Sequence, residues 1–329
     1  MEKLLSIVIP SYNVEQFLGE CLDSLIKSQK LDVLDIIIVN DGSKDLTGKI
    51  ALNYQEKYPD SINVINKENG GHGSTINVGI TKARGKYFKI IDGDDWVDEK
   101  ALDSLLNYLT ISDSDLILSN YNKVFPNETI EIVANEGNKY DFNKIYSIQD
   151  ILEVNNHIFE MAALTIKTSL VKNKYHIDEN TFYVDVEFVL YSINYVNTIS
   201  FTSDNVYQYR LGNQNQSMDI SNVIKNINHH QRVIRSILNF IFSDMADLNK
   251  KNFYLHKVVS LIHFETNLCL NYAVTKEYLE KTILLHKEIK NQYPEVFELL
   301  AQSKLEKLFM IFGYSFMNTK RFIFSRRKV

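Results

Sequence analysis

The sequence has few of the residues that cross-link a chain or anchor it in a membrane. It has two cysteines in 329 residues, Cys21 and Cys269, which excludes a disulfide framework and makes a reducing interior the expected environment. No run approaches the roughly 18 apolar residues of a membrane-spanning helix, and the N-terminal apolar run is too short for a signal peptide. Only four prolines and twelve glycines are present, without a low-complexity linker. We expect a soluble, cytoplasmic protein.

Charge and size limit the kinds of partner. With 36 basic and 41 acidic residues the formal net charge is −5, whereas a general nucleic-acid binder usually has a basic excess. We therefore expect no nucleic-acid partner. The chain is 45% apolar and long enough for one large domain or two ordinary ones with a substantial core.

The first 110 residues or so alternate short apolar, β-branched runs with helical patterns. This alternation is typical of an α/β fold, in which a parallel sheet carries helices on its faces. Strands are predicted at residues 4–10, 34–41, 62–68 and 87–92. The middle of the chain mixes strand and helix patterns, and from about residue 220 long helical patterns dominate, which predicts a helical C-terminal region.

Polar residues collect where the predicted strands end. Ligands of such sheets bind at the carboxyl ends of the strands. Four loops on one edge of the sheet therefore carry residues typical of a binding site: residues 11–13, 40–43, 69–73 and 92–95.

The stretch "FKIIDGDDWV" places three carboxylates, Asp92, Asp94 and Asp95, directly after a buried strand. Like charges this close repel one another, so a positive partner is expected among them. Asp92 and Asp94 are two residues apart and can share one face of an extended segment. Carboxylate oxygens suit Mg²⁺ or Mn²⁺, and Mg²⁺ commonly leaves its other positions to phosphates and water. We favour such a metal site over a solvated acidic turn that caps the next helix.

Three further segments leave alternatives open. The glycine cluster "NGGHGST" either cradles a phosphate through its backbone N–H groups or forms a turn with Ser74 or Thr75 near a helix cap; it matches neither G-x-G-x-x-G nor a P-loop. Asp185 and Glu187 lie at a predicted helix start, where simple capping is the alternative to chemistry. In "YQYRLGNQNQS", Arg210 could approach a phosphate and Tyr207 and Tyr209 could stack on a sugar or a base, or the segment is an ordinary strand and loop.

Taken together, "SIVIPSYNVEQFLGECLDSL", "IIIVNDGSKD", "NGGHGSTINVGI" and "KIIDGDDW" resemble the signature of family 2 glycosyltransferases of the GT-A type. "FYVDVEFVLYSINYV" and "VYQYRLGNQNQS" resemble segments that follow in this family. The resemblance covers about the first 110 residues and these two later segments. It implies a GT-A-like, mainly parallel mixed sheet flanked by helices. Processive members carry a Q-x-x-R-W element and membrane spans, which are absent here, so a bacterial, non-processive transferase is implied.

The resemblance also implies roles for individual residues. Asp185 is the implied catalytic base; the family usually has Glu before it, here Val184, so Glu187 is a rival. Asp94 and Asp92 form the implied D-x-D metal site for Mn²⁺ or Mg²⁺, with Asp95 as a substitute. The residues implied to bind the donor nucleotide are Pro10, Ser11, Tyr12, Asp41, Asn69, Gly70, Gly71, Asn77, Asp92, Gly93 and Arg210.

The implied function is transfer of a hexosyl or N-acetylhexosaminyl group from a nucleoside diphosphate sugar, most often a UDP-sugar. The acceptor would be a hydroxyl of a glycan, glycolipid or glycoprotein, and the anomeric centre would invert. A non-catalytic sugar-nucleotide or glycan-binding module on the same fold is the alternative. A nucleotidyltransferase ranks lower because "PSYNVEQFLG" is neither glycine-rich nor basic.

We divide the chain into a nucleotide-sugar-binding and catalytic domain, 1–218, and a helical region, 219–329. The helical region could bind the acceptor, form a homodimer contact or touch a membrane. Its last segment, "KLFMIFGYSFMNTKRFIFSRRKV", mixes apolar and basic residues, a pattern compatible with a helix lying on an anionic membrane surface or with a terminal helix and a frayed tail. Peripheral contact with the inner face of the membrane is therefore one prediction.

Overall fold

The computed structural model describes residues 2–134, 140–154, 159–212, 220–245, 247–272 and 274–310. The chain divides into two compact units, residues 1–214 and 215–329. The boundary predicted between residues 218 and 219 lies outside the described residues, as does the basic end of the chain, so the division of roles and the membrane contact stay predictions. No described helix is both long and apolar enough to cross a bilayer.

The first unit contains a single sheet with helices around it. Its described strands are β1 (Leu5–Ser11), β2 (Leu34–Asn40), β3 (Ile62–Asn66), β4 (Tyr87–Ile90), β5 (Trp96–Val97), β6 (Leu116–Val124), β7 (Ile130–Val133), β8 (Tyr146–Ser147), β9 (Leu164–Lys167) and β10 (Thr198–Arg210). Its described helices are α1 (Leu18–Ile26), α2 (Thr47–Lys57), α3 (Gly71–Lys82), α4 (Glu99–Ile111), α5 (Ile148–Val154) and α6 (Asp185–Asn194).

The sheet is mixed and mainly parallel, as predicted. Its order is β3-β2-β1-β4-β9-β6-β10-β5, with β7 beside β6 and β8 beside β10. Strands β1 to β4 pair in parallel, while β9 runs antiparallel to both of its neighbours. Every residue of β1 and β2 is buried, which explains why both strands are apolar for most of their length, because helices cover both faces of a central parallel strand.

The parallel order brings four strand ends to one edge. Because β3, β2, β1 and β4 all point the same way, the loops after them meet there, and backbone hydrogen bonds join the loops directly. Asp41 N–H donates to the Ser11 carbonyl over 2.9 Å, and Gly93 N–H donates to the Pro10 carbonyl over 3.1 Å. The convergence of the four polar loops, predicted from sequence, is confirmed.

The second unit is helical in its described part. It contains α7 (Ile220–Lys225), α8 (Ile227–Asn239), α9 (Lys251–Asn271), α10 (Lys276–Gln292) and α11 (Pro294–Leu300). Its core includes buried ionisable groups that are satisfied by one another. Glu265 accepts hydrogen bonds from His230 and Gln231, and Glu306 accepts them from His263 and His286 over 2.6 and 2.8 Å. Such pairing is required because an isolated buried charge is costly.

Lys89 is a buried lysine in the first unit, and it predicts a pH-dependent stability. Its Nζ donates to the carbonyls of Ala162 and Leu164 over 2.6 and 3.2 Å and lies 5.8 Å from the centre of the Tyr207 ring. Burial lowers the pKa of Lys89 from 10.5 to about 7. Between these values the unfolded chain binds a proton that the folded chain does not, so the free energy of unfolding falls as the pH drops from 10.5 toward 7.

The comparison that isolates this effect is wild type against Lys89→Met. Denaturation followed by fluorescence of Trp96, the sole tryptophan, reports on the first unit. We expect the stability of wild type relative to the variant to rise by about 1 kcal/mol per pH unit between about pH 7.5 and 9.5. A pH-independent difference for Lys89→Met would contradict the prediction.

Candidate active site

Asp41 lies at the centre of the carboxyl edge and is buried. Its Oδ1 accepts from Lys67 Nζ over 2.7 Å and from Gly70 N–H over 2.9 Å, and its Oδ2 accepts from Gly71 N–H over 2.8 Å. Asn69 donates its side-chain amide to the Asp41 carbonyl over 2.9 Å. Asp41 therefore caps α3 from a neighbouring strand, and its carboxylate occupies the position that favours an anion. The helix cap predicted from Ser74 or Thr75 is supplied by Asp41 instead.

The glycine cluster allows a second segment to approach α3 closely. We call residues 177–181 the strap. A Cβ on Gly73 would lie 2.1 Å from the Asp178 carbonyl oxygen, and Gly71, with φ +80°, faces the backbone of Asn180. Asn180 N–H donates to the Gly70 carbonyl over 2.6 Å. The glycines are thus required for backbone packing. A role of Asn69, Gly70 and Gly71 in binding a donor stays a prediction.

Asn77 and Glu187 hold the strap from two sides. Asn77 accepts from Ile177 N–H and donates back to the Ile177 carbonyl, both over 2.9 Å. Glu187 is fully buried, and its carboxylate accepts from Asp178 N–H over 2.9 Å. The structure places the Asn77 amide against the strap. It places Glu187 in the core, where an acceptor hydroxyl cannot reach it.

Asp92 is paired with a histidine that sequence reasoning did not single out. His72 Nε2 lies 2.9 Å from Asp92 Oδ1, and each side chain is 30% exposed. Burial alone would lower the pKa of His72, but Asp92, with smaller contributions from Asp185 and Asp94, raises it above its ordinary value. His72 is therefore a protein group whose protonated form the acidic cluster favours.

Asp95 is the buried member of the three aspartates in the acidic loop. Its Oδ2 accepts from the Tyr207 hydroxyl over 2.5 Å, and its Oδ1 accepts from Arg210 N–H over 2.7 Å. Each Asp95 oxygen therefore accepts one hydrogen bond from the protein, and the role of Asp95 as a substitute metal ligand stays a prediction. Tyr207 is buried under the loop, so the interpretation that its ring stacks on a sugar or base is wrong.

Arg210 is likewise held by protein groups. Its Nε donates to the Asp94 carbonyl over 2.8 Å and its Nη2 to Glu20 over 2.6 Å. The guanidinium carbon lies 4.4 Å from the centre of the Trp96 ring and 5.0 Å from that of Phe17. These contacts lie beside the acidic loop, and a contact with a donor phosphate stays a prediction.

Asp92 and Asp94 fit the predicted metal site in their chemistry. Desolvation and the Asp92 carboxylate raise the pKa of Asp94, while Arg210 and His72 oppose the rise. A divalent cation would relieve this repulsion, and both side chains supply the hard oxygen donors that Mg²⁺ and Mn²⁺ prefer. Among the described residues no group of three or more His, Cys, Asp and Glu side chains could hold a metal, and Mg²⁺ commonly takes its other ligands from phosphates and water.

Asp185 begins α6 and lies near the acidic loop. Partial desolvation of the carboxyl group is the main reason that the pKa of Asp185 is raised. The His72 ring opposes this rise, and the Asp92 carboxylate adds to it. The side chain is nevertheless exposed at the surface, so water weakens these effects. Tyr209 lies close enough to feel Asp185, Asp92 and Asp94, although burial is the main reason that its pKa rises to about 12. The structure thus brings together Asp185, Asp92, His72 and Tyr209.

Tyr12 and Gly93, two of the residues implied to bind the donor, lie on loops at this edge, and their contact with a donor stays a prediction. Tyr12 is 51% exposed beside the buried Ser11. Gly93 packs so closely on Pro10 and Ser11 that an added Cβ would lie 3.0 Å from the Pro10 carbonyl oxygen and Ser11 Oγ. Besides His72, sequence reasoning missed Lys67 and Glu20. Both act through tertiary contacts that leave no local pattern.

Comparisons with known proteins agree with this architecture. Residues 6–166 match the model of glycosyl transferase family 2. The uncharacterized glycosyltransferase EpsJ of Bacillus subtilis is 42% identical over 117 residues. That match covers 36% of this chain and 33% of EpsJ, so the chain spans about a third of the length of this relative.

Two solved structures share the fold. The crystal structure of S. aureus TarS 1–349 in complex with UDP-GlcNAc has a TM-score of 0.57 and 20% identity, covering 91% of this chain and 92% of that one. The mannosyltransferase PcManGT from Pyrobaculum calidifontis, in complex with GDP-Man and Mn²⁺, has a TM-score of 0.57 and 14% identity, covering 99% and 89%. The GT-A-like fold implied by the sequence is confirmed.

Proposed function

We propose, since residues 6–166 belong to glycosyl transferase family 2, that this chain transfers a sugar from a nucleoside diphosphate sugar to an acceptor hydroxyl. The single observation that carries the proposal is the meeting of the exposed Asp185 with the partly exposed Asp92, which has Asp94 beside it, at the carboxyl edge of the sheet. That edge is where open α/β sheets bind ligands. The donor is a UDP-sugar, with a hexosyl or N-acetylhexosaminyl group, and the acceptor is a glycan, glycolipid or glycoprotein.

The donor nucleotide would lie over the loops that follow β1 and β4. Tyr12 has an exposed ring on which the base could stack. Gly93 has no side chain and packs closely on Pro10 and Ser11, so it leaves space above this loop for the nucleotide. TarS with UDP-GlcNAc and PcManGT with GDP-Man support a nucleotide sugar as donor. Asp41 organises the site by capping α3, and Lys67 neutralises the charge of the Asp41 carboxylate.

Asp92 and Asp94 would hold Mn²⁺ or Mg²⁺ together with the donor diphosphate. When bound, the ion acts as a Lewis acid that stabilises the charge of the leaving group. Asp185 would accept the proton of the acceptor hydroxyl, which is a poor nucleophile until a positioned carboxylate does so. Its exposure lets an acceptor reach it, in contrast to the buried Glu187. Direct displacement by one hydroxyl inverts the anomeric centre.

Thermal unfolding with nucleotides tests the donor site. A ligand that binds only the folded state at about 100 times its Kd adds about 2.7 kcal/mol to the free energy of unfolding. We therefore expect UDP with Mn²⁺ to raise the Tm by a few degrees, and UDP with EDTA to raise it less. GDP with Mn²⁺ serves as the comparison for base choice. If no nucleoside diphosphate shifts the Tm, the proposal fails; a shift by UDP that ignores Mn²⁺ removes the metal role of Asp92 and Asp94.

Release of nucleoside diphosphate from a panel of donors then identifies the sugar. Water can replace the acceptor hydroxyl slowly, so the measurement works before the natural acceptor has been identified. The donor that releases the most UDP or GDP in the presence of Mn²⁺ defines the substrate class.

A further inference from the structure

The geometry points to Glu20 and Trp96 as positioning residues that act through Arg210 to fix the loop carrying Asp94. Both lie outside the predicted site residues. The inference rests on the proposed function, because it concerns the carboxylate that would hold the metal.

Arg210 joins three elements at one point. Its backbone N–H donates to Asp95 Oδ1 over 2.7 Å, and its Nε donates to the Asp94 carbonyl over 2.8 Å. It ends β10, whose Gln208 pairs with Trp96 in β5. Its Nη2 reaches Glu20 on α1 over 2.6 Å. Arg210 therefore ties the loop between β4 and β5 to β10 and α1 through its backbone N–H and its side chain.

Glu20 and Trp96 determine where the guanidinium lies. An arginine side chain loses about 2 kcal/mol of rotamer entropy when it is fixed, so its position must be imposed by contacts. Trp96 provides a ring face 4.4 Å from the guanidinium carbon, and Glu20 provides a charged acceptor for Nη2. The Arg210 side chain is only 21% exposed in this arrangement. Removing the Glu20 charge releases Nη2 of the Arg210 guanidinium, and we expect this to weaken the hydrogen bond from Nε to the Asp94 carbonyl.

The contact is too exposed to be a main source of fold stability. Glu20 is 53% exposed, and exposed ion pairs contribute little. The pair is therefore better explained by what it orients than by the stability it adds. A groove of about 610 Å³ runs past it, lined in part by Glu20, Asp23 and Trp96. This groove contains none of the proposed catalytic carboxylates, so we place the reaction at the carboxyl edge and not in the groove.

The test measures the ratio of two dissociation constants for UDP, one with EDTA and one with Mn²⁺, by calorimetry. A merely structural change would weaken both constants alike, whereas a misplaced Asp94 lowers the ratio. We expect Glu20→Gln to lower the ratio about 2- to 5-fold, the range that one exposed charge pair allows. Asp23→Asn is the matched control. Asp23 lies on the same helix and lines the same groove but accepts from Tyr54 over 2.6 Å, so its ratio should not change.

A double-mutant cycle shows whether Glu20 acts through Arg210. Arg210→Lys keeps the charge but loses the planar fork. If Glu20 acts through Arg210, Glu20→Gln has no further effect on the ratio in the Arg210→Lys background. Trp96→Leu should lower the ratio in the same direction.

Two results would overturn the inference: a ratio that is unchanged in Glu20→Gln, including the case in which both dissociation constants weaken equally, or fully additive effects in the double variant. A wild-type protein that binds UDP equally with Mn²⁺ and with EDTA would overturn it as well, and would also remove the metal role from the proposed function. A wild type with a clear Mn²⁺ effect that Glu20→Gln retains leaves the proposed function intact and removes only this inference.

Discussion

Asp185→Asn is expected to reduce the turnover number about 100- to 10,000-fold while leaving donor binding nearly intact. General base catalysis contributes on this scale, and an amide cannot take the proton of the acceptor hydroxyl. The variant has the same shape, and Asp185 is exposed at the start of α6, so the fold should tolerate it. Release of UDP or GDP from the best donor measures turnover, and the Tm shift by UDP with Mn²⁺ measures binding.

Glu187→Gln separates the two candidate bases. Glu187 is buried and accepts from Asp178 N–H, so this variant should lower the Tm but keep most of its turnover per folded molecule. Wild-type turnover in Asp185→Asn would remove Asp185 from the role of base. A wild-type protein that binds UDP with Mn²⁺ but turns over no donor would favour the non-catalytic binding module.

The strands that carry the site could be predicted because their signal is local. β1 and β2 are β-branched, apolar for most of their length and followed by polar turns, and buried parallel strands have this pattern. Parallel order then places the ends of these strands on one edge, so the meeting of Asp41 with the Gly70 loop follows from the order alone. β9 was missed because "LTIK" is short and is preceded by a 3₁₀ turn. Its place between β4 and β6 depends on non-local pairing.

The partners of the acidic loop could not be predicted, because they come from distant parts of the chain. Glu20 and Arg210 are 190 residues apart, and Tyr207 and Asp95 are 112 apart. Sequence reasoning correctly required a positive partner for three adjacent carboxylates, but it assigned that partner wholly to a metal. The structure divides the carboxylates: Asp95 accepts from the Tyr207 hydroxyl and a backbone N–H, Asp92 faces His72, and Asp94 keeps a partly exposed side chain. The metal role of Asp92 and Asp94 stays a proposal.

The different environments of the three aspartates predict a second large effect, that of changing Asp94. Asp94→Asn is expected to abolish the Mn²⁺ dependence of UDP binding and to reduce turnover about 100-fold or more, because a bound cation supplies several kcal/mol of stabilisation to the charge that develops on the leaving group. An amide oxygen is a weaker ligand for a hard cation than a carboxylate. The measurements are the dissociation constant of UDP at increasing Mn²⁺ and the turnover of the best donor at saturating Mn²⁺.

Asp98→Asn is the matched control for Asp94→Asn, because Asp98 caps α4 by accepting from Ala101 N–H over 2.8 Å and asparagine caps helices about as well. It should leave binding and turnover unchanged. Asp95→Asn should behave differently from both, since its carboxylate is buried against Tyr207 and Arg210: we expect a lower Tm before any change specific to Mn²⁺. If Asp94→Asn bound UDP with the Mn²⁺ dependence of wild type, Asp94 would not be a metal ligand. Burial and the Asp92 carboxylate, which raise the pKa of Asp94, would then be opposed by a backbone hydrogen bond, Arg210 and His72 without a metal ion.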